Sequence, residues 1–161
     1  MQMPDRKQIK DLFEGLLGRD VTIGDAPEPL SPDIVPAPAF AVYVDDAGRL
    51  SAVALMDFVL VAYTGAALAL VPVGGAEAAI EDNVMPTNLM DNTAELLNVL
   101  AAPIGDASGI HQRLERTYSP NDVLPPELAA IAATLGARED VTVGIAGYGS
   151  GRLAMVSVPT Y

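Results

Sequence analysis

Glycine and proline residues cut this 161-residue chain into short segments, and they constrain its fold more than any other feature. Fourteen glycines and 13 prolines separate apolar runs that have the length of single helices or strands. Five of the prolines fall in residues 26–38, which we predict to be an ordered connector between an N-terminal helix with its extension, residues 1–25, and the main body, residues 39–161. Because residues 1–25 are too few for a core of their own, we predict one domain over residues 1–161.

The hydrophobic pattern between these breaks predicts the element order α-β-β-α-α-β-α-β-β. Strands are predicted over residues 39–44, 50–56, 110–118, 140–146 and 152–158. The four helices of this order are predicted over residues 5–17, 58–70, from Thr87 as N-cap to Pro103, and from Pro125–Pro126 to Gly136, and a short helical piece over residues 75–82 connects the second to the third. This order favours an α+β fold in which helices cover a mainly antiparallel sheet.

Charge and composition exclude several classes of function. The net charge is −12 and no cluster of lysine and arginine is present, so we expect neither nucleic acid nor an anionic membrane as a partner. Cysteine is absent, which excludes disulfides, thiolate metal sites and a cysteine nucleophile. The longest apolar run, residues 58–73, is shorter than the roughly 18 residues of a membrane span. We therefore predict a cytoplasmic protein.

One predicted helix carries a polar stripe on an otherwise apolar segment. Asp91, Glu95 and Asn98 lie within about 60° of one another around a helix, and leucines occupy the opposite face. Ala94 and Ala102 lie on or beside the stripe and are small enough to let another surface approach closely. A solvated outer face also explains such a stripe, although an asparagine in mid-helix competes for backbone hydrogen bonds.

The spacing Asp91-x-x-x-Glu95-x-x-Asn98 resembles the Asp/Ser-x3-Glu-x2-Asn signature of the CheC/CheX/FliY family of chemotaxis response-regulator phosphatases. The predicted order of helices and strands is also similar to that family's, and the single copy of the motif is nearer to the single-site CheX. The resemblance implies a CheX/CheC-like α+β fold. It also implies a phosphatase that removes phosphate from the phospho-aspartate of a CheY-like receiver.

The same resemblance implies roles for the stripe residues. The amide of Asn98 would orient a water for in-line attack on phosphorus, and Glu95 would engage the receiver's lysine. Asp91 would support the start of the helix or the docking surface, beside Ala94 and Ala102. The Mg²⁺ of this chemistry would belong to the receiver, so we expect no cofactor or metal in this chain itself.

Two other functions stay open. Where the family usually continues through a small Ala-Gly-Asn-like stretch, residues 99–103 here read Val-Leu-Ala-Ala-Pro. A CheX-like module that binds a receiver or dimerises without catalysis is therefore the first alternative, and we note that strand 152–158 could pair with a second copy at an unpaired edge. An α+β domain of unrelated function, with a merely solvated stripe, is the second.

The remaining motifs favour ordinary structural roles. Residues 147–151 are glycine-rich, but a strand follows them, so we predict a hairpin turn and not a phosphate-binding loop. His111 is the only histidine and cannot build a zinc site without cysteine, so we expect a partly exposed strand residue. The acidic pairs Asp45–Asp46 and Glu81–Asp82 are expected to be solvated turns.

Overall fold

A computed structural model of the chain describes residues 2–134 and 137–158. Over these residues the helices are α1 Arg6–Leu17, α2 Phe58–Leu68, α3 Val73–Asp82, α4 Thr87–Val99, α5 Ala101–Ser108 and α6 Pro126–Ala132. The strands are β1 Val21–Asp25, β2 Ala39–Val44, β3 Leu50–Met56, β4 Arg113–Tyr118, β5 Arg138–Ile145 and β6 Gly149–Ser157. The predicted helix stop at Gly136 lies outside the described residues.

The strands form one antiparallel sheet in the order β1-β5-β6-β3-β2-β4. Alternate side chains of each strand face opposite sides, and β2 shows this directly. Ala41 and Tyr43 join a core that contains side chains of helices α1 to α5, whereas Phe40 and Val42 join a second core with α6 and Leu30. The predicted α+β class with a mainly antiparallel sheet is therefore confirmed.

Local signals explain the first helices. Asp5 and Gln8 form a capping box at the start of α1, and Gly18 ends the helix with a φ of 66°. The carboxylate of Asp57 accepts a 3.0 Å hydrogen bond from the backbone N–H of Leu60 and caps α2, as predicted. Gly48 has a φ of 78° in the turn between β2 and β3, which confirms the predicted hairpin.

Strand β1 was not predicted, because its five residues contain only two large apolar side chains, Val21 and Ile23. It pairs with β5 and brings the predicted N-terminal extension into the sheet. Residues 26–38, all described, contain no helix or strand. They are tied to β5 because the backbone N–H of Leu30 donates to Asp140 at 2.9 Å and Arg138 donates to the Leu30 carbonyl at 3.3 Å.

The prediction that strand 152–158 is an unpaired edge is wrong. Residues 152–157 belong to β6, which lies inside the sheet between β5 and β3. The two edges of the described sheet are β1 and β4. The predicted hairpin between β5 and β6 is confirmed, with Gly147 at a φ of 84°. Its turn occupies residues 146–148 and is shorter than the predicted 147–151, because residues 149–151 belong to β6.

The helix with the polar stripe differs from the prediction at both ends. Pro86 occupies the N-cap position and Thr87 is the first helical residue. At the other end α4 stops at Val99, and α5 begins two residues later. Pro103 does not end a helix but lies in the first turn of α5, where backbone N–H groups need no helical partner.

A buried tyrosine stabilises this interruption. The hydroxyl of Tyr43 donates a 2.6 Å hydrogen bond to the carbonyl of Leu97, in the last turn of α4. Carbonyls at the end of a helix lack partners within it, and burial would make an unpaired one costly. Burial also raises the pKa of Tyr43 above its ordinary value, so the hydroxyl keeps its proton and remains a donor.

Candidate functional site

The orientation of α4 is fixed by its contact with α2. The hydroxyl of Thr93 is fully buried, 2.9 Å from the carbonyl of Val61, and the amide of Asn92 donates to the Gly65 carbonyl at 3.1 Å. A Cβ atom built at Gly65 would lie 2.2 Å from the Leu89 carbonyl oxygen, so the two helices cross at van der Waals contact. The apolar face of α4, as predicted, is buried in this contact: Leu89, Met90, Leu96 and Leu97.

The opposite face carries the predicted stripe. Asp91, Glu95 and Asn98 are all exposed, and Asp91 and Asn98 lie about 10 Å apart along the helix axis. Within the described part of the chain, none of the three side chains has a hydrogen bond or an ion pair. Ala94 is half-buried beside them and Ala102 is exposed on α5. The structure thus brings the five candidate residues to one surface, while their roles stay predictions.

Two grooves lie between this surface and edge strand β4. The larger, the α5–β4 groove, has a volume of about 720 Å³ and is lined by Asn98, Ala102, Gly105, His111, Gln112 and Arg113, among others. The smaller, the α4–β4 groove, has a volume of about 310 Å³ and contains Asp91, Thr87 and Thr117. The stripe therefore ends in a groove at each side, with Asn98 in the larger one.

The basic side chains are distributed unevenly around this surface. Six of the chain's nine lysines and arginines form ion pairs with acidic side chains: Arg6, Lys7, Lys10, Arg49, Arg138 and Arg152. Arg19 donates to the Ala146 carbonyl, and Arg116 lies over the ring of Tyr118 at 4.6 Å. Arg113 is exposed and has no such partner among the described residues.

Arg113 was not among the predicted site residues. Two arginines spaced three apart in a predicted strand of a strongly acidic chain were the signal that could have found it. The expectation that His111 is a strand residue is wrong, because β4 begins only at Arg113. His111 is exposed, and its Nδ1 lies 2.6 Å from an oxygen of Asp46.

The described residues show neither a metal cluster nor a membrane helix. Over residues 2–134 and 137–158, no three histidine, aspartate or glutamate side chains come together as metal ligands would. None of the helices in the same ranges combines the length and the apolar character that crossing a membrane requires. The expectations that the chain carries no metal of its own and is cytoplasmic stay predictions.

Neither a family model nor a curated protein sequence matches this chain. Solved structures do. The FliM middle domain (51–229) of Vibrio alginolyticus aligns with a TM-score of 0.60 at 8% identity, over 94% of this chain and 86% of that one. The FliM middle domain of H. pylori aligns with a TM-score of 0.58 at 9% identity, over 94% of this chain and 83% of that one.

FliY of Thermotoga maritima aligns with a TM-score of 0.52 at 14% identity, over 91% of this chain and 80% of that one. The chain has the CheC/CheX/FliY-like fold. The fold that the resemblance on α4 implies is thus confirmed. At these identities the likeness concerns the fold alone.

Proposed function

We propose that this chain is a CheX-like phosphatase that removes phosphate from the phospho-aspartate of a CheY-like receiver domain. The observation that carries the proposal is the exposed stripe of Asp91, Glu95 and Asn98 on α4. The opposite face of this helix is fixed against α2 by the buried Thr93 and by the close contact at Gly65. A rigid helix with an open polar face can be laid against a partner's active site without rearrangement.

Asn98 is suited to the chemical step. An acyl phosphate is already labile, so its hydrolysis depends more on positioning a water in line than on a strong base. The amide of Asn98 is exposed at the groove and can both donate to and accept from that water, without adding negative charge. The water oxygen bonds to phosphorus as the bond from phosphorus to the aspartyl oxygen breaks. Aspartate and inorganic phosphate are released, and the proton of the water leaves with the phosphate or to solvent.

The neighbouring residues serve docking. Glu95 lies about one helical turn from Asn98 and would pair with the receiver's lysine, which fixes the register between the two proteins. Asp91, one turn further along, extends the same contact. Ala94 and Ala102 present small side chains beside the stripe and allow the partner's backbone to come close. Mg²⁺ held by the receiver would neutralise charge on the phosphoryl group.

The test is the rate at which an acetyl-phosphate-charged receiver loses phosphate with and without this chain. We expect acceleration by the wild type and its loss in Glu95→Ala and in Asn98→Ala. Glu81→Ala and Asn88→Ala are matched controls, since both residues are exposed, and both variants should keep full activity. Equal turnover by wild type and by the Glu95→Ala/Asn98→Ala double variant would exclude the mechanism.

A non-catalytic, CheX-like interaction or dimerisation module is the second candidate. It is favoured by the interruption of the helix at Leu100, which leaves Asn98 as the next-to-last residue of α4 and places Ala-Ala-Pro in the following turn. This function predicts receiver binding, or a stable homodimer in light scattering, with no change in the dephosphorylation rate.

A further inference from the structure

The end of α4 lacks the support that a continuing helix would give it. Pro103 has no backbone N–H to donate to the carbonyl of Val99, four residues earlier, and its ring would clash with that carbonyl in a regular helix. The helix accordingly stops at Val99, and Asn98 is its next-to-last residue. The last turn of a helix frays unless its carbonyls find other partners. Asn98 therefore lies in a turn that depends on support from outside the helix.

The polar contacts between α2 and α4 are too far from Asn98 to supply this support. The hydroxyl of Thr93 and the amide of Asn92 bond to carbonyls of α2. At a rise of about 1.5 Å per residue, Thr93 lies about 7.5 Å before Asn98 along the helix axis. The last turn also buries Leu96 and Leu97, but apolar burial is not directional and does not fix the orientation of a turn.

Tyr43 supplies a directional contact at this place. Its hydroxyl donates a 2.6 Å hydrogen bond to the carbonyl of Leu97, the residue directly before Asn98. Tyr43 is fully buried on β2, an inner strand that pairs with β3 on one side and β4 on the other. Because strands inside a sheet are among the most stable parts of a fold, this hydroxyl is anchored to a rigid element.

We propose that Tyr43 is a positioning residue for the hydrolysis of the receiver's phospho-aspartate, acting through the Leu97 carbonyl to hold Asn98 where its amide can orient the attacking water. The proposal rests on the proposed function, because it concerns the same reaction and the same helix. Misplacing a reacting group by about 1 Å can cost on the order of 100-fold in rate. Glu95, the proposed docking residue, lies one turn nearer to the contact with α2. Loss of the Tyr43 hydroxyl should therefore slow the chemical step more than it weakens binding.

Tyr148 provides a matched control. Its hydroxyl also donates a 2.6 Å hydrogen bond to a backbone carbonyl, that of Val71, just beyond the end of α2. Gly65, in the second half of α2, contacts the first turn of α4, so the end of α2 lies away from Asn98. Tyr43→Phe and Tyr148→Phe each remove one hydroxyl and leave one carbonyl without its donor. Both keep the aromatic ring, so we expect both variants to fold.

The experiment measures kcat and KM for phosphate release from an acetyl-phosphate-charged receiver, at a temperature where circular dichroism shows each variant to be folded. We expect Tyr43→Phe to lower kcat about three- to tenfold and to leave KM within about twofold of wild type. Its affinity for a receiver held in a phosphorylated-like state by beryllofluoride should match that of wild type. Tyr148→Phe should keep both kinetic constants, although it also loses a hydrogen bond.

The outcomes separate this proposal from the proposed function. A wild-type kcat in Tyr43→Phe, or an equal loss of kcat in both tyrosine variants, would overturn the positioning role and leave the phosphatase standing. A higher KM with unchanged kcat in Tyr43→Phe would also overturn it, since the hydroxyl would then support binding and not the chemical step. No acceleration of phosphate release by the wild type would overturn the phosphatase and the role of Tyr43 with it.

Discussion

Gly65 marks the closest approach of α2 to α4, and replacing it with alanine should displace the helix that carries the stripe. The new Cβ would lie 2.2 Å from the Leu89 carbonyl oxygen and 2.8 Å from its carbonyl carbon. These are backbone atoms, so the clash cannot be relieved by a change of rotamer. One helix has to move by about 1 Å to restore an ordinary contact.

The expected magnitude follows from two opposing terms. Overpacking of a core costs about 1–3 kcal/mol, and a backbone clash belongs at the upper end of that range. Alanine gains about 1 kcal/mol over glycine inside a helix. We therefore expect Gly65→Ala to lower the free energy of unfolding by about 2 kcal/mol, which for a chain of this size lowers Tm by about 4–8 °C.

Gly15→Ala is the matched control, since Gly15 lies in α1, is exposed, and has no atom within 4 Å of its built Cβ. Helix propensity then acts alone and should raise the free energy of unfolding by about 0.5–1 kcal/mol. Urea unfolding of both variants gives the two values. An increase in stability for Gly65→Ala similar to that for Gly15→Ala would refute the tight crossing of α2 and α4.

Three further predictions concern single side chains. Leu70 has a φ of 57° at the end of α2, a conformation that favours glycine, so Leu70→Gly should raise the free energy of unfolding by about 0.5–1 kcal/mol in urea unfolding, and a decrease would contradict this. Tyr43→Phe removes the donor to the Leu97 carbonyl and should lower the free energy of unfolding by about 1–2 kcal/mol. Amide hydrogen exchange near Leu100 should become faster, and unchanged exchange there would argue against the role given to the hydroxyl. Burial raises the pKa of Asp57, and hydrogen bonds from Leu60 and Arg152 oppose this shift. Protonation of this carboxyl therefore stabilises the folded state, and that stabilisation is lost as pH rises through the pKa of the folded state. The stability of Asp57→Asn relative to wild type should therefore rise between pH 3.5 and 7, and a fall over that range in thermal unfolding would contradict the shift.

Much of the fold could be predicted because local chemistry and tertiary packing agree. The capping residues Asp5 and Asp57, and the glycines at positions 18 and 48, act through hydrogen bonds and backbone conformations that depend on adjacent residues alone. Strand pairs joined by short turns, β2 with β3 and β5 with β6, follow from the same local signals. The confirmed α+β class rests on these elements.

The structure differs from the sequence prediction where contacts between residues far apart in the chain determine the local structure. β1 has too few apolar residues to show a pattern, and it forms because β5 offers it an edge. The break after Val99 depends on a hydroxyl that arrives from Tyr43, more than 50 residues earlier in the chain. The place of β6 inside the sheet depends on its pairing with β3, which no local signal encodes.

The candidate site, too, could be predicted from the sequence only in part. Periodicity alone predicted that Asp91, Glu95 and Asn98 share one helix face, since that depends on helix geometry. That Asn98 and residues of β4 line the same groove depends on the position of β4 at the sheet edge beside α4 and α5. Sequence spacing cannot show which distant segments line one groove, so the structure was needed to find this groove.

The most direct measurement is the turnover of a phosphorylated receiver by substoichiometric amounts of this chain. The account predicts that each molecule of the chain releases many equivalents of inorganic phosphate. It also predicts that Asn98→Ala still binds the receiver but releases phosphate no faster than the receiver does alone. Undiminished phosphate release by Asn98→Ala, or no release above background by the wild type with a receiver that it binds, would contradict it.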